Sequence, residues 1–214
     1  MVVFAVNMNR VVVFDVGNVL LRWDPVALVA KLLPEQDAPL LAERLFGGSA
    51  WQALDAGTLA FDTAVVQASN DVQLPVAHVE RLFEAVGPSL TPIAPLIALA
   101  DALAGQGRPG YVLSNMPAHV QAVILEEHPV FDAFAGHVFS NEIQTIKPRP
   151  EIYRSLFHEF QLAPECCLFI DDSNANLATA GELGMRTEHL PAGVTDDEAT
   201  QLVRRVRSWV NGER

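Results

Sequence analysis

The chain has 214 residues, half of them hydrophobic and 19% charged, which supplies enough apolar material for one large domain or a core with a small appendage and excludes disorder as the main state. Fourteen lysines and arginines stand against 26 aspartates and glutamates, a formal charge of −12 that repels a nucleic-acid backbone and anionic lipid alike. A small anionic substrate stays compatible with it, because a metal ion and one or two cations make a site locally positive.

In chain order, the opening MVVFAVNMNR has neither the basic start nor the small-residue cleavage site of a secretory signal, and Met8 is as good a starting residue as Met1. No stretch reaches the roughly 20 apolar residues of a membrane span. Val11-Val12-Val13-Phe14 predicts a strand buried on both faces of a parallel sheet. The next 65 residues or so show no comparable strand but several amphipathic patterns, among them 58–68 and 76–86, broken by Pro34, Pro39, Gly47-Gly48 and Pro75. This insertion is too long for a strand-to-helix loop and predicts a helical lid over the carboxyl ends of the strands. Helices are then expected at 92–104, stopped by Gly105-Gln106-Gly107, at 117–127, at 150–160 with proline in the first turn, and at 174–183 before Gly184. They alternate with buried runs at 111–113, 137–139 and 167–170, which implies an α/β fold with a parallel sheet. Leu202, Val203, Val206, Trp209 and Val210 share one face of a final helix, expected to pack on the core. Cys166 and Cys167, adjacent on a strand, read as small buried side chains in a reducing compartment, with the cytoplasm as the default location. The six histidines show no metal-ligand spacing and are expected at the surface or as caps; Trp51, Asp55 and Phe61 recur near helical spacing and read as lid packing, with Trp51 or Trp23 a possible sugar-facing wall.

Polar clusters follow the buried runs: Asp15, Ser114-Asn115, Lys147 and Asp171-Asp172. Open α/β sheets bind ligands just beyond the carboxyl ends of their strands, so these residues are expected in one crevice. Three carboxylates close together cannot all stay ionised without compensation, and Mg²⁺ resolves the conflict while keeping positions for water and a phosphate oxygen. A carboxylate attacking phosphorus would form an acyl phosphate, with Lys147 and the Asn115 amide neutralising and orienting the phosphoryl oxygens.

Phe14–Leu20 (FDVGNVL), Leu113–Asn115 (LSN), Ser140–Tyr153 (SNEIQTIKPRPEIY) and Phe169–Met185 (FIDDSNANLATAGELGM) resemble, in order, the four motifs of the haloacid dehalogenase (HAD) superfamily, mostly phosphatases, and come closest to a bacterial subgroup that includes α-D-glucose-1-phosphate phosphatase. The resemblance implies a Rossmann-like HAD core of residues 1–21 and 89–214 with a small all-helical type-1 cap, 22–88, inserted after the first strand. It implies a Mg²⁺-dependent phosphatase of a small phosphorylated metabolite, such as a sugar phosphate, working through an aspartyl-phosphate. Asp15 would be nucleophile and metal ligand, Ser114, Asn115 and Asn18 would bind the substrate, and Lys147 would steady the nucleophile. The metal would be held by Asp15, the Gly17 carbonyl and Asp172, with Asp171 acting directly or through water and Asn176 close to the metal waters.

One position departs from the family pattern. The second aspartate that serves family phosphatases as general acid and base is here Gly17, which transfers no proton, and Asn18 cannot titrate. General acid–base help is worth about 10²–10⁴-fold, so good leaving groups would suffer least; Asp24 is a candidate substitute, with helix capping its plainer role. Two other readings stay open, a metal-independent 2-haloacid dehalogenase and a weakly active phosphosugar-binding protein. The oligomeric state is left open too.

Overall fold

The structure, a computed structural model, describes residues 10–213, so the choice between Met1 and Met8 lies outside the described residues. The β-branched run at 11–14 forms β1 (Val11–Phe14), and the later apolar runs form β4 (Tyr111–Ser114), β5 (Gly136–Phe139) and β6 (Cys167–Asp171). A further strand, β7 (Arg186–His189), joins them in a five-stranded sheet of order β5-β4-β1-β6-β7, every pairing parallel. β7 was missed in the sequence because Arg186-Thr187-Glu188-His189 lies at an edge, half exposed, and lacks the apolar run of a central strand.

Side chains alternate across the sheet and build its two faces. Val12, Phe14, Val112, Leu168 and Ile170 point to one side, into a cluster with Leu96 and Leu99 of α7 (Ala94–Gly105) and Leu202 and Val206 of α12 (Asp196–Val210). Val11, Val13, Leu113, Val138 and Phe169 point to the other, against Ile152, Tyr153 and Leu156 of α10 (Pro150–Glu159) and Leu177 and Ala180 of α11 (Asn174–Glu182). The result is a helix–sheet–helix sandwich with β1 at its centre. The chain steps to one side of β1 through β4 and β5 and to the other through β6 and β7, so the carboxyl end of β1 is where a crevice must open.

Between β1 and α7 the chain leaves and returns through two short antiparallel strands, β2 (Leu21–Arg22) and β3 (Thr91–Pro92), which the sequence did not suggest. The expected helix at 92–104 starts at Ala94 for that reason. Between the two strands lie α1 (Pro25–Leu32), α2 (Ala38–Phe46), α3 (Ser49–Asp55), α4 (Phe61–Val72), α5 (Val76–Glu84) and α6 (Val86–Ser89). The pattern at 58–68 is shifted: α3 ends at Asp55, and α4 begins only at Phe61. Gly57 causes the break. Its φ of +63° is left-handed, and a Cβ there would stand 2.3 Å from the Asn141 carbonyl oxygen, so the turn between α3 and α4 lies directly on the backbone of residues 140–143, the short helix that follows β5. α8 (Ala118–Glu127) and the short α9 (Ser140–Ile143) follow β4 and β5 on the crevice side. Cys166 and Cys167 are both buried, and the Cys167 thiol donates to the Ala163 carbonyl. No helix among the described residues is long and apolar enough to cross a membrane.

Candidate active site

Asp15 follows β1 directly, its N–H still bonded to the Ile170 carbonyl at 3.0 Å, so the ladder to β6 holds its backbone in place. The side chain is almost buried, with Oδ1 accepting from the Val16 N–H at 2.7 Å and paired with the Lys147 ammonium at 2.8 Å. Lys147 is 3% exposed; its Nζ also lies 2.7 Å from Asp171 Oδ2 and donates to the Leu113 carbonyl at 3.1 Å. Burial disfavours this ammonium, yet the Asp15 and Asp171 carboxylates outweigh that penalty and hold its pKa above the ordinary lysine value. Burial likewise raises Asp15, Lys147 opposes the rise, and Asp171 and Asp172 add to it.

The adjacent aspartates at the end of β6 have different surroundings. Asp171 is fully buried and both its oxygens are engaged: Oδ2 with Lys147, Oδ1 with the Ser173 N–H at 2.7 Å, and both with the Asn176 amide at 3.0 and 3.1 Å. Asp172 lines a crevice of about 210 Å³ together with Asp15, Gly17, Ser114, Asn115 and Lys147. Burial raises its pKa too, against the hydrogen bond from the Asn18 amide at 2.9 Å. One oxygen from each of Asp15, Asp171 and Asp172 lies within 4.8 Å of the others, and the Lys147 ammonium beside them pairs with Asp15 and Asp171 but not with Asp172. A donor set of hard oxygens short of two positive charges fits a divalent cation such as Mg²⁺.

The expected substrate-binding residues reach the same crevice with their side chains partly committed. Ser114 is buried at the end of β4, its hydroxyl 3.4 Å from the neighbouring Asn115 carbonyl. The Asn115 amide accepts from the Lys147 N–H at 2.7 Å and donates to the Lys147 carbonyl at 3.1 Å, a two-point clamp that sets where the ammonium emerges. Asn18, at a φ of +58°, donates to Asp172 and accepts from the Trp23 N–H at 3.1 Å. Asp24 is not among the residues lining the crevice; its carboxylate accepts from the Ala27 N–H at 2.8 Å and caps α1, the plainer of its two expected roles.

Gly17, Trp23 and Asn115 also line a second cavity of about 240 Å³, otherwise walled by Phe46, Trp51, Val86, Leu90, Met116, Pro117 and Val120. The rings of Trp23, Phe46, Trp51 and Phe83 meet edge to face or tilted at 4.9–6.0 Å. Among the described residues, Asp55, at the end of α3, is the one carboxylate lining this cavity. In the sequence Asp55 reads as lid packing; the available signal is a charged residue one turn after Trp51 on an apolar helix. Burial first, and then the Asp15 carboxylate, push Asp55 up to about 7, with Lys147 opposing. Two histidines also differ from expectation: His119 packs half-buried against Phe61 and bonds the Phe83 carbonyl, and His137 stacks on Phe139 within β5.

A family model described as a haloacid dehalogenase-like hydrolase matches residues 9–184. A sesquiterpene phosphatase, astK, from Aspergillus oryzae is 27% identical over 192 residues, covering 89% of this chain and 92% of its own. Among solved structures, a HAD family enzyme from Bacteroides thetaiotaomicron in complex with magnesium and inorganic phosphate superposes with a TM-score of 0.67 at 20% identity, over 87% of this chain and 96% of its own. A defluorinating L-2-haloacid dehalogenase gives 0.67 at 18% identity, over 96% and 100%. At these identities the structural likenesses establish the fold alone.

Proposed function

The chain belongs to the haloacid dehalogenase-like hydrolases, and on that footing we propose that it is a Mg²⁺-dependent phosphatase of a small phosphorylated metabolite, acting through phospho-Asp15. The observation that carries this reading is the cluster at the end of β1: three carboxylate oxygens within 4.8 Å of one another beside the buried ammonium of Lys147. Asp15 and Asp172, with the Gly17 carbonyl, would hold the ion directly. Asp171, both oxygens occupied, would keep Lys147 and Asn176 in place and reach the ion through water. Bound there, Mg²⁺ would offset the negative charge that otherwise keeps a phosphate dianion away. Lys147 orients the Asp15 carboxylate for attack, and the Ser114 hydroxyl and the N–H groups at the end of β4 are placed to bind phosphoryl oxygens.

The organic part of the ester would enter the cavity under α3, with 22–88 acting as a cap domain over a core of 1–21 and 89–214. Its aromatic walls suit the apolar face of a sugar ring or a wholly apolar alcohol, and the sesquiterpene phosphatase relative favours the second. The dehalogenase alternative is disfavoured by the site's charge, because Asp171 and Asp172 beside Asp15 repel a substrate carboxylate. Two buried cysteine side chains suit a reducing, cytoplasmic setting.

Release of inorganic phosphate from a panel of sugar, isoprenoid and aryl phosphates, and of chloride from 2-chloropropionate, tests the reading with Mg²⁺ and with EDTA. Phosphate released with Mg²⁺ and abolished by EDTA is expected. Chloride release that survives EDTA overturns it.

A further inference from the structure

Hydrolysis at Asp15 needs a proton for the departing oxygen, and the residue two positions beyond it is a glycine. Gly17 is not required by the backbone: its φ is not left-handed, and a Cβ there meets nothing within 4 Å. What the glycine leaves is open space joining the crevice at Asp15 to the aromatic cavity, since Gly17 lines both. Asp55 lines the same aromatic cavity. Its carboxylate has no hydrogen-bond or ion-pair partner among the described residues. Its backbone, by contrast, is tightly held. The buried Ser140 hydroxyl donates to the Asp55 carbonyl and accepts from the Met116 N–H at 2.8 Å, and Gly57 seats the following turn on Asn141. Asp55 is thus a part-exposed carboxylate with no protein partner, carried on a backbone pinned to the start of α9 and lining the same cavity as Gly17, so it is free to meet a group bound there.

We propose that Asp55, carried in on α3, is the general acid and base of this hydrolase and stands in for the proton-transferring group absent at Gly17. The inference rests on the phosphatase reading above. In the first step an Asp15 oxygen bonds to phosphorus, the bond from phosphorus to the organic oxygen breaks, and protonated Asp55 gives its proton to that oxygen, releasing an alcohol. In the second, water attacks the phosphorus of phospho-Asp15, ionised Asp55 takes its proton, the bond from phosphorus to Asp15 breaks, and phosphate leaves with Asp55 protonated again. Burial raises the Asp55 carboxyl above the ordinary carboxylate range, the direction a proton-donating group requires.

The test is leaving-group dependence. With Mg²⁺ present, kcat/KM is measured for 4-nitrophenyl, phenyl and benzyl phosphate on wild type, Asp55→Asn and Asp55→Glu. Asp55→Asn is expected to lower kcat/KM for benzyl phosphate by about 10²–10⁴-fold, with a loss that shrinks as the leaving group improves and is smallest for 4-nitrophenyl phosphate; Asp55→Glu recovers part of it. Equal losses across the three esters, or none, in an Asp55→Asn protein that melts like wild type overturn the role of Asp55 alone. Wild type that releases phosphate from none of the panel esters overturns the phosphatase reading and this inference with it.

Discussion

The crevice at Asp15 and the cavity at Asp55 share Gly17, Trp23 and Asn115 as lining, yet they are held in opposite ways. At the crevice the charges of Asp171 and Lys147 are fixed several times over: Asp171 by an ammonium, a backbone N–H and an amide, and Lys147 by two carboxylates, a carbonyl and the Asn115 clamp. In the cavity, aromatic edges pack without directional bonds, and the one carboxylate has only its backbone tied down. The difference is physical. Like charges must be placed to within fractions of an ångström by groups that cannot move, whereas an apolar wall works through shape and exclusion of water. Charged groups are concentrated at the strand ends, and the helices above them supply aromatic walls with Asp55 at the end of α3.

That contrast can be attacked in order of expected effect. Asp15→Asn should cost at least about 10⁴-fold in turnover, as loss of a nucleophile does, while the far-ultraviolet spectrum and melting profile persist; phosphate release near the wild-type rate would remove the crevice from the chemistry. Lys147→Met strands two buried carboxylates, and denaturation in the absence of divalent cation should show a loss of about 3–5 kcal/mol; a neutral result would mean that the Lys147 ion pairs do not hold the fold together. Gly57→Ala forces a left-handed alanine against the Asn141 carbonyl. It should cost about 1–3 kcal/mol of stability and depress benzyl phosphate turnover more than 4-nitrophenyl phosphate turnover, because the end of α3 moves. Unchanged selectivity there would show that Asp55 does not depend on that contact. Smallest of all, Asp24→Ala should remove about 1 kcal/mol of helix capping and leave turnover intact; lost activity would bring Asp24 back as a proton-transfer group.

Much of the crevice was legible because a parallel sheet converts sequence order into spatial position. A short apolar run predicts a central strand, and the polar residue at its end lies near the crevice, so Asp15, Ser114 and Asp171 are assigned to one region by sequence order, although Asp171 proves buried beneath the crevice and Asp172 lines it. The edge strand β7 escaped because its exposure removes the apolar run, and the neck of β2 and β3 because two-residue strands carry no periodicity. The division of labour between adjacent Asp171 and Asp172 was equally hidden, since it depends on which of them Lys147 and Asn176 can reach.

What the amino-acid order alone determined is the kind of chemistry: acidic, hydroxyl, amide and ammonium groups behind buried strands, in a chain whose glycine two residues after Asp15 leaves a proton unaccounted for. Only the tertiary structure decided where that proton can come from. Asp55 lies 40 residues from Asp15 in sequence and in another layer, and a helical segment carries no local signal of what its end faces. That follows from packing, here from Ser140 and Gly57 holding the turn after α3 against the start of α9, and packing is a property of the folded chain as a whole.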